Sequence, residues 1–493
     1  MIARRPVARN IAHVGVALSL AFGVLAAGAG YWQVVRSEDL STAPDNPAVA
    51  VAARSVVRGQ IVDRDGTVLA SNKRDPNGGV YRVYADRVVA PVIGYASQQH
   101  GSAGLERSFG AELTGLSDPD PIRNLLKKFQ ANPYDPQSLT LSLSLKLQRL
   151  AVKGLGSDSG AVVMLDPRTG EVLALASTPL YDASAIANPA TEAAGFAAVS
   201  DNPAKPLLTR PTQGRYVPGS VFKVVTAIAG LGSGSITPTT TFPGQADAEK
   251  KGLVVNGFLI HEHPGVPART FNLVTATEVS SNIWFALAGL KTGGANLKEY
   301  ADKVGFDAPI PFDLPTAISQ VTNGRGSAPG GFLDDVELAN ASYGQAETFV
   351  TPLQMALVAA TVANHGELMR PRLVTALTGK QGTRKIGPES LAQVISSADA
   401  DAITAAMQRA VEGPLGRQFT SGAKVPGIPT AGKSGTAELG GTGEPHSWFI
   451  GFAPANDPQI AIAVLVERGG RGGARAAPLA GSLMKAYFDT VAR

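Results

Sequence analysis

Pro218-Gly219-Ser220-Val221-Phe222-Lys223, continued by Val224, Val225, Ala227, Ile228 and Ala229, is the stretch that decides how this chain is read. The apolar run predicts a helix that opens at the serine. Ser220 and Lys223 stand three apart, so both project from one face within a single turn. A serine hydroxyl is a poor nucleophile until a base takes its proton, and Lys223 is in place to do that. A helix start also carries the positive end of the dipole, which favours a developing anion. Taken alone the pattern is weak evidence. The chain repeats it at Ser421-Gly422-Ala423-Lys424 and at Ser482-Leu483-Met484-Lys485. Two further elements give it weight: Ser280-Ser281-Asn282, about sixty residues later, and Lys433-Ser434-Gly435-Thr436, about one hundred and fifty after that. Decoys of these exist too. Ser200-Asp201-Asn202 precedes Ser220, and Lys291-Thr292-Gly293 follows Ser280 by about ten residues, too close to reach a separate strand across a cleft. Only Ser220, Ser280 and Lys433 satisfy order, spacing and element type together: a helix start, a loop between helices and the head of a strand.

Around this set the chain has a plain pattern. Ala161 to Leu165, the turn Asp166-Pro167-Arg168-Thr169-Gly170, and Val172 to Ser177 predict a hairpin. Thr430 to Leu439, Trp448 to Ala453 and Ile460 to Glu467 are strand candidates, and an amphipathic helix from Pro478 to Val491 closes the chain. One hairpin early and three strands late, with helices between, predict an α+β domain built on one antiparallel sheet drawn from both ends. Upstream, Val56 to Ala70 predicts another hairpin around Asp65-Gly66, and Ile122 to Gln130 reads as a helix.

The N-terminus adds a membrane. Arg4, Arg5 and Arg9 precede an apolar run from Ile11 to Val35, long enough as a helix to span about 30 Å of hydrocarbon. Basic residues before it and Glu38-Asp39 after it predict an inside N-terminus and a catalytic part on the outer side of the plasma membrane. Ala27-Gly28-Ala29 offers a signal-peptide cleavage site instead, but the run is longer than a usual signal core, which favours a retained anchor. Ser41 to Ala53 reads as a linker. The expected division is a short cytoplasmic segment at 1–10, an anchor at 11–35, a linker and pedestal domain at 36–150 and the catalytic domain at 151–493.

The 493 residues contain no Cys, which excludes disulfides, thiolate metal sites and a Cys nucleophile. A net charge of +4 is small for this size and speaks against a nucleic-acid binder. His261-Glu262-His263 sits in a Pro/Gly-rich stretch and reads as a solvated loop rather than a metal site. No cofactor or metal is expected. An α/β-hydrolase is excluded by the lack of any Gly-x-Ser-x-Gly element.

The triple of Ser-x-x-Lys, Ser-x-Asn and Lys-[Ser/Thr]-Gly is the signature of penicillin-binding proteins and class A β-lactamases. The chain resembles a class B penicillin-binding protein, most of all the actinobacterial penicillin-binding protein A type. Arg58-Gly59-Gln60-Ile61 and Gly104-Leu105-Glu106 resemble the family's pedestal. Gly160 to Asp182, Gly344-Gln345, Thr351 to Ala356 and His446 to Pro454 resemble its transpeptidase domain, with an antiparallel five-stranded sheet and helices on both faces. The third element carries Ser434 where Thr is commoner, and the second carries Ser281 where Cys or Asp is often found.

The resemblance implies a D,D-transpeptidase that cross-links peptidoglycan stem peptides, releases D-alanine and is acylated by β-lactams. Ser220 would be the nucleophile and Lys223 its base. Ser280 would relay a proton to the leaving amine, while Asn282 holds Lys223 and the substrate amide. Lys433 and Ser434, with Gly435 and Thr436, would bind the substrate's carboxylate end. Backbone N–H groups of Ser220 and Thr436 would form the oxyanion hole. To act as base Lys223 must lose its proton far below its ordinary pKa of about 10.4, and Lys433 and the helix N-terminus are expected to push it that way. A serine β-lactamase would need a deacylating Glu, for which Glu337 is the nearest candidate; a D,D-carboxypeptidase or a non-enzymatic β-lactam sensor shares the same elements. The stretch between anchor and residue 150 is too short for a glycosyltransferase, so the expected partner is a multi-pass membrane glycosyltransferase of the shape, elongation or division type.

Overall fold

Gly160–Leu165 (β1) and Val172–Thr178 (β2) are apolar at almost every position, the mark of strands covered on both sides. Late in the chain come Ala431–Ala437 (β3), His446–Ala453 (β4) and Ile460–Val466 (β5). The five form one antiparallel sheet in the order β3-β4-β5-β1-β2, with β5 in the middle. Its register sets Ala461 opposite Leu165 and Val466 opposite Gly160. Alternation along each strand divides the side chains between two cores. Ala161, Val163, Leu165, Ala461, Ala463 and Ile450 face one, and Val162, Met164, Ile462, Val464 and Phe449 face the other.

The structure is a computed structural model and describes residues 5–32, 56–115, 135–440 and 443–490. It divides into two units, residues 1–57 with 74–81 and residues 58–73 with 82–493. In the second, six helices matter here: Lys223–Gly232 (α1), Leu273–Val279 (α2), Asn282–Thr292 (α3), Pro352–Ala363 (α4), Ser397–Glu412 (α5) and Ala476–Thr490 (α6). All twelve residues of α4 are buried against the first face of the sheet. The other face is covered by α6 and by the helix Leu145–Leu155, whose Leu147, Ala151 and Leu155 enter the second core. The expected arrangement, one sheet with helices on both faces, is the one observed.

A smaller sheet precedes it in the chain. Ile61–Val62 pairs antiparallel with Val68–Arg74 around the expected turn, where Asp63 Oδ1 accepts the N–H of Asp65 at 2.9 Å and of Thr67 at 2.8 Å. The same Ile61–Val62 pairs in parallel with Ser138–Leu141, which in turn pairs antiparallel with Val374–Gly379. Val374–Gly379 and its hairpin partner Gly382–Lys385, both from deep in the catalytic segment, therefore complete this sheet, and the division at residue 150 is crossed by them. Beside the sheet Glu106 is fully buried between two arginines, 2.8 Å from Arg58 Nε and 2.7 Å from Arg82 Nε. That triad joins the two pedestal stretches singled out by sequence, since Arg58 and Glu106 belong to them.

In the first unit Arg5–Gly30 is a helix. Its segment Arg9–Gly30 has 22 residues and a mean hydropathy of 2.0, long and apolar enough to cross a membrane at about 1.5 Å of rise per residue. The α-helical part ends at Gly30, and Tyr31 and Trp32 continue the helical path as a π turn. Residues 33–35, the linker Ser41 to Ala53 and the helix expected at Ile122 to Gln130 lie outside the described residues.

Candidate active site

Ser220 does not open an α-helix. It lies in a 3₁₀ turn, Gly219–Phe222, which runs into α1 at Lys223. The tighter turn places residues i and i+3 in line, so Ser220 and Lys223 still share a side. Glycine contacts explain the turn. Gly219 has φ +56°, and its N–H donates to Gly344 O at 2.9 Å. A Cβ on Gly344, itself at φ +87°, would stand 1.9 Å from Gly219 O, and one on Gly435 of β3 would stand 2.9 Å from Pro218 O. Turn, loop and strand thus meet backbone to backbone, which only glycine permits.

The second element is a corner. α2 ends at Ser280, whose φ of +59° is left-handed and costs a non-glycine residue about 1–3 kcal/mol. Ser281 caps α3, its Oγ accepting the N–H of Trp284 at 2.9 Å. Asn282 is therefore the first helical residue, and its side chain is free for other work. Lys223 Nζ donates to Ser280 O at 2.6 Å and to Asn282 Oδ1 at 2.8 Å, with Ser280 Oγ at 3.3 Å. Lys433 Nζ, buried on β3, donates to the same Ser280 Oγ at 2.8 Å and to Ser434 O at 2.9 Å. One hydroxyl is held between two amines. The Phe285 ring lies 5.6 Å from Lys223 Nζ.

Burial pushes the Lys223 amine down to about 7, against the pull of the Glu262 and Glu249 carboxylates. Lys433 is held well below the ordinary lysine value, first by burial and then by Lys223. The expected source of the Lys223 shift was Lys433 and the helix dipole. Burial is the cause instead, and the Glu262 and Glu249 carboxylates oppose it.

β3 is an edge strand, and beyond its ladder with β4 no other strand pairs with it among the described residues. Ser434 Oγ lies 3.0 Å from Thr420 Oγ1, and Thr436 Oγ1 accepts the N–H of Gly472 at 3.2 Å. Thr420 was missed by sequence reasoning; it stands one residue before the decoy Ser421. The other decoys are accounted for. Ser482 Oγ donates to Leu479 O within α6, Lys291-Thr292-Gly293 is the C-terminal end of α3, and Ser200 ends a helix that begins at Glu192. Glu337 is taken up at the start of the helix Asp335–Ala341, accepting from Leu333 N and Thr322 Oγ1, both at 2.6 Å.

The loop at His261-Glu262-His263 differs from the solvated loop expected. Glu262 turns inward and accepts the N–H of Asn282 at 3.0 Å, of Ile283 at 3.2 Å and of His263 at 2.7 Å, with Ser281 Oγ at 2.9 Å. An acid between two histidines in a Pro/Gly-rich stretch has no period from which this could be read. No group of three His, Asp or Glu able to hold a metal occurs among the described residues.

Residues 160–485 match the penicillin binding protein transpeptidase domain, and residues 58–137 the penicillin binding protein A dimerisation domain. Peptidoglycan D,D-transpeptidase PbpA of Mycolicibacterium smegmatis is 34% identical over 95% of this chain and 97% of its own length. That of Mycobacterium tuberculosis is 31% identical over 97% and 99%. The ceftriaxone acyl-enzyme complex of M. tuberculosis penicillin-binding protein A is similar in structure, with a TM-score of 0.78 at 32% identity over 88% of this chain and 99% of that one. Pseudomonas aeruginosa PBP2 gives 0.73 at 28% identity over 88% and 95%. A serine and two lysines gathered on one corner, an edge strand beside them and these likenesses along nearly the whole chain lead to one conclusion: the chain belongs to the penicillin-binding proteins, with a dimerisation domain of the penicillin-binding protein A kind ahead of its transpeptidase domain.

Proposed function

We propose that Ser220 is the acyl-forming nucleophile of a peptidoglycan D,D-transpeptidase and that Lys223 is its base. The observation that carries this reading is the buried Lys223 amine, one turn from Ser220, held by Ser280 and Asn282 and depressed to about 7. A neutral amine at physiological pH can take the Ser220 proton as Oγ attacks the carbonyl between the two terminal D-alanines. The tetrahedral oxyanion rests on the N–H groups of Ser220 and Thr436. Its collapse breaks the amide bond, and the proton passes from Lys223 through Ser280 to the departing D-alanine amine. Asn282 holds Lys223 and the substrate amide. Lys433, Ser434, Gly435 and Thr436 receive the carboxylate end along β3. The acceptor amine of a second stem peptide then attacks the ester, its proton returning along the same path, and closes the cross-link.

β-Lactams acylate the same serine and stay, since Glu337 is engaged elsewhere as an acceptor. The N-terminal helix anchors the chain, with Arg5 and Arg9 on the cytoplasmic side and the catalytic domain outside. Glycan strands come from a separate multi-pass membrane glycosyltransferase, because the segment between anchor and catalytic domain is too short to hold one. The test is fluorescent penicillin labelling over time. Wild type should form a lasting adduct, Ser220→Ala none, and Ser421→Ala and Ser482→Ala the wild-type amount. Label on Ser220→Ala removes the assignment, and rapid loss of label from wild type indicates a β-lactamase.

A further inference from the structure

Two glutamates absent from the sequence motifs lie behind the Ser280–Asn282 corner. Glu249, in the helix Gln245–Lys251, is buried; its Oε1 accepts from Gln245 Nε2 at 3.0 Å and from Ser281 Oγ at 2.7 Å. Its Oε2 is also buried and meets no N–H or O–H donor among the described residues. The Glu262 carboxyl is the neighbouring acid: Ser281 Oγ lies 2.7 Å from Glu249 Oε1 and 2.9 Å from Glu262 Oε2. Two carboxylates side by side cannot both ionise, so one must carry a proton. Glu262 already receives two backbone N–H groups at the start of α3, where an anion is favoured, and that of His263 in its own loop. Glu249 has none, and it keeps the proton and donates it to Glu262. Burial and Glu262 hold the Glu249 carboxyl up at about 8. Burial would raise Glu262 as well, but donation from Glu249, the Lys223 charge and the N–H groups of Asn282 and His263 bring it below the usual range.

We propose that Glu262, buttressed by protonated Glu249, is a positioning residue for acylation: it fixes the Asn282 end of α3 against Lys223 and supplies the negative charge that Lys223 faces. The Asn282 amide is held from the same loop, its Nδ2 donating to His261 O at 3.4 Å while its Oδ1 accepts from Lys223. Other groups around Lys223 are Lys433 on β3, Ser280 and Phe285 at the α2–α3 corner, and apolar Ile403, Ala406 and Met407 of α5. Tyr343, whose phenol is raised by burial, Glu438 and Glu262, is the remaining titratable group tied to this pair.

The proposal rests on Lys223 acting as the base for Ser220. Its test is the pH dependence of penicillin acylation by the membrane-bound full chain. Because Glu262 opposes deprotonation of Lys223, Glu262→Gln should move the acidic limb to lower pH. It should also lower the maximal rate roughly tenfold, the scale of one charge-assisted hydrogen bond. Glu262→Asp, which keeps the charge, should leave the limb in place. Glu249→Gln keeps a donor toward Glu262, so it should hold the maximal rate near wild type and move the limb less than Glu262→Gln, Glu249 being the weaker of the two charges on Lys223. A limb unmoved in Glu262→Gln, or moved as far in Glu249→Gln, overturns the proposal. A wild-type profile with no acidic limb instead removes the lysine-base reading itself, so the two failures are distinct.

Discussion

Lys223 is a lysine that the fold keeps from its charge. Below about 7 it binds a proton and loses its use as a base, and above that it is neutral. Penicillin acylation should therefore rise with pH through a limb near neutrality. A stopped-flow profile flat across that range counts against it. The spacing of Ser220 and Lys223 could be read directly, because three residues on a helical or 3₁₀ path share a side whatever surrounds them. The order of Ser280 and Lys433 could be read as well. The environment of Lys223 could not. Its depression depends on burial beneath α2, α3 and α5, and Glu262 gains meaning only when a loop folds against the start of α3. Neither leaves a period in the chain.

Among the elements, the turn at Ser220 is the one that packing dictates. Gly344→Ala would set a methyl 1.9 Å from Gly219 O and force the turn away from the Gly344 loop. A displacement of about 1 Å at reacting groups costs roughly a hundredfold in rate. Acylation by a fluorescent penicillin should fall by that order while the protein still folds, which a circular dichroism spectrum would show. In the small sheet the Glu106 triad carries stability instead. Glu106→Gln leaves the buried Arg82 and the partly buried Arg58 without their anion, at about 3–5 kcal/mol by urea unfolding. A loss under about 1 kcal/mol would show that the triad is not a supporting element. Hairpins were legible here because Asp-Gly turns and alternation act locally. The 3₁₀ start at Gly219 was not, since it follows from contacts with Gly344 and Gly435 far along the chain.

At the scale of the whole molecule the anchor and the enzyme are separable in principle. A chain lacking residues 1–35 should leave the membrane pellet for the soluble fraction and label with penicillin at the wild-type rate. Persistent membrane association would place a second attachment elsewhere. The antiparallel sheet was legible from its strands, but the crossing of Val374–Gly379 into the pedestal sheet was not, because pairing partners over two hundred residues apart share no local signal. The same topology has a consequence in time. β5 is the middle strand of the main sheet and the last of its five to be made, about 295 residues after Leu165, its partner across Ala461. At about 5–20 residues per second the early β1–β2 hairpin waits roughly 15–60 s for its neighbour. During that wait an apolar hairpin edge stands unpaired, so the nascent chain depends on whatever shields that edge until the keystone strand emerges.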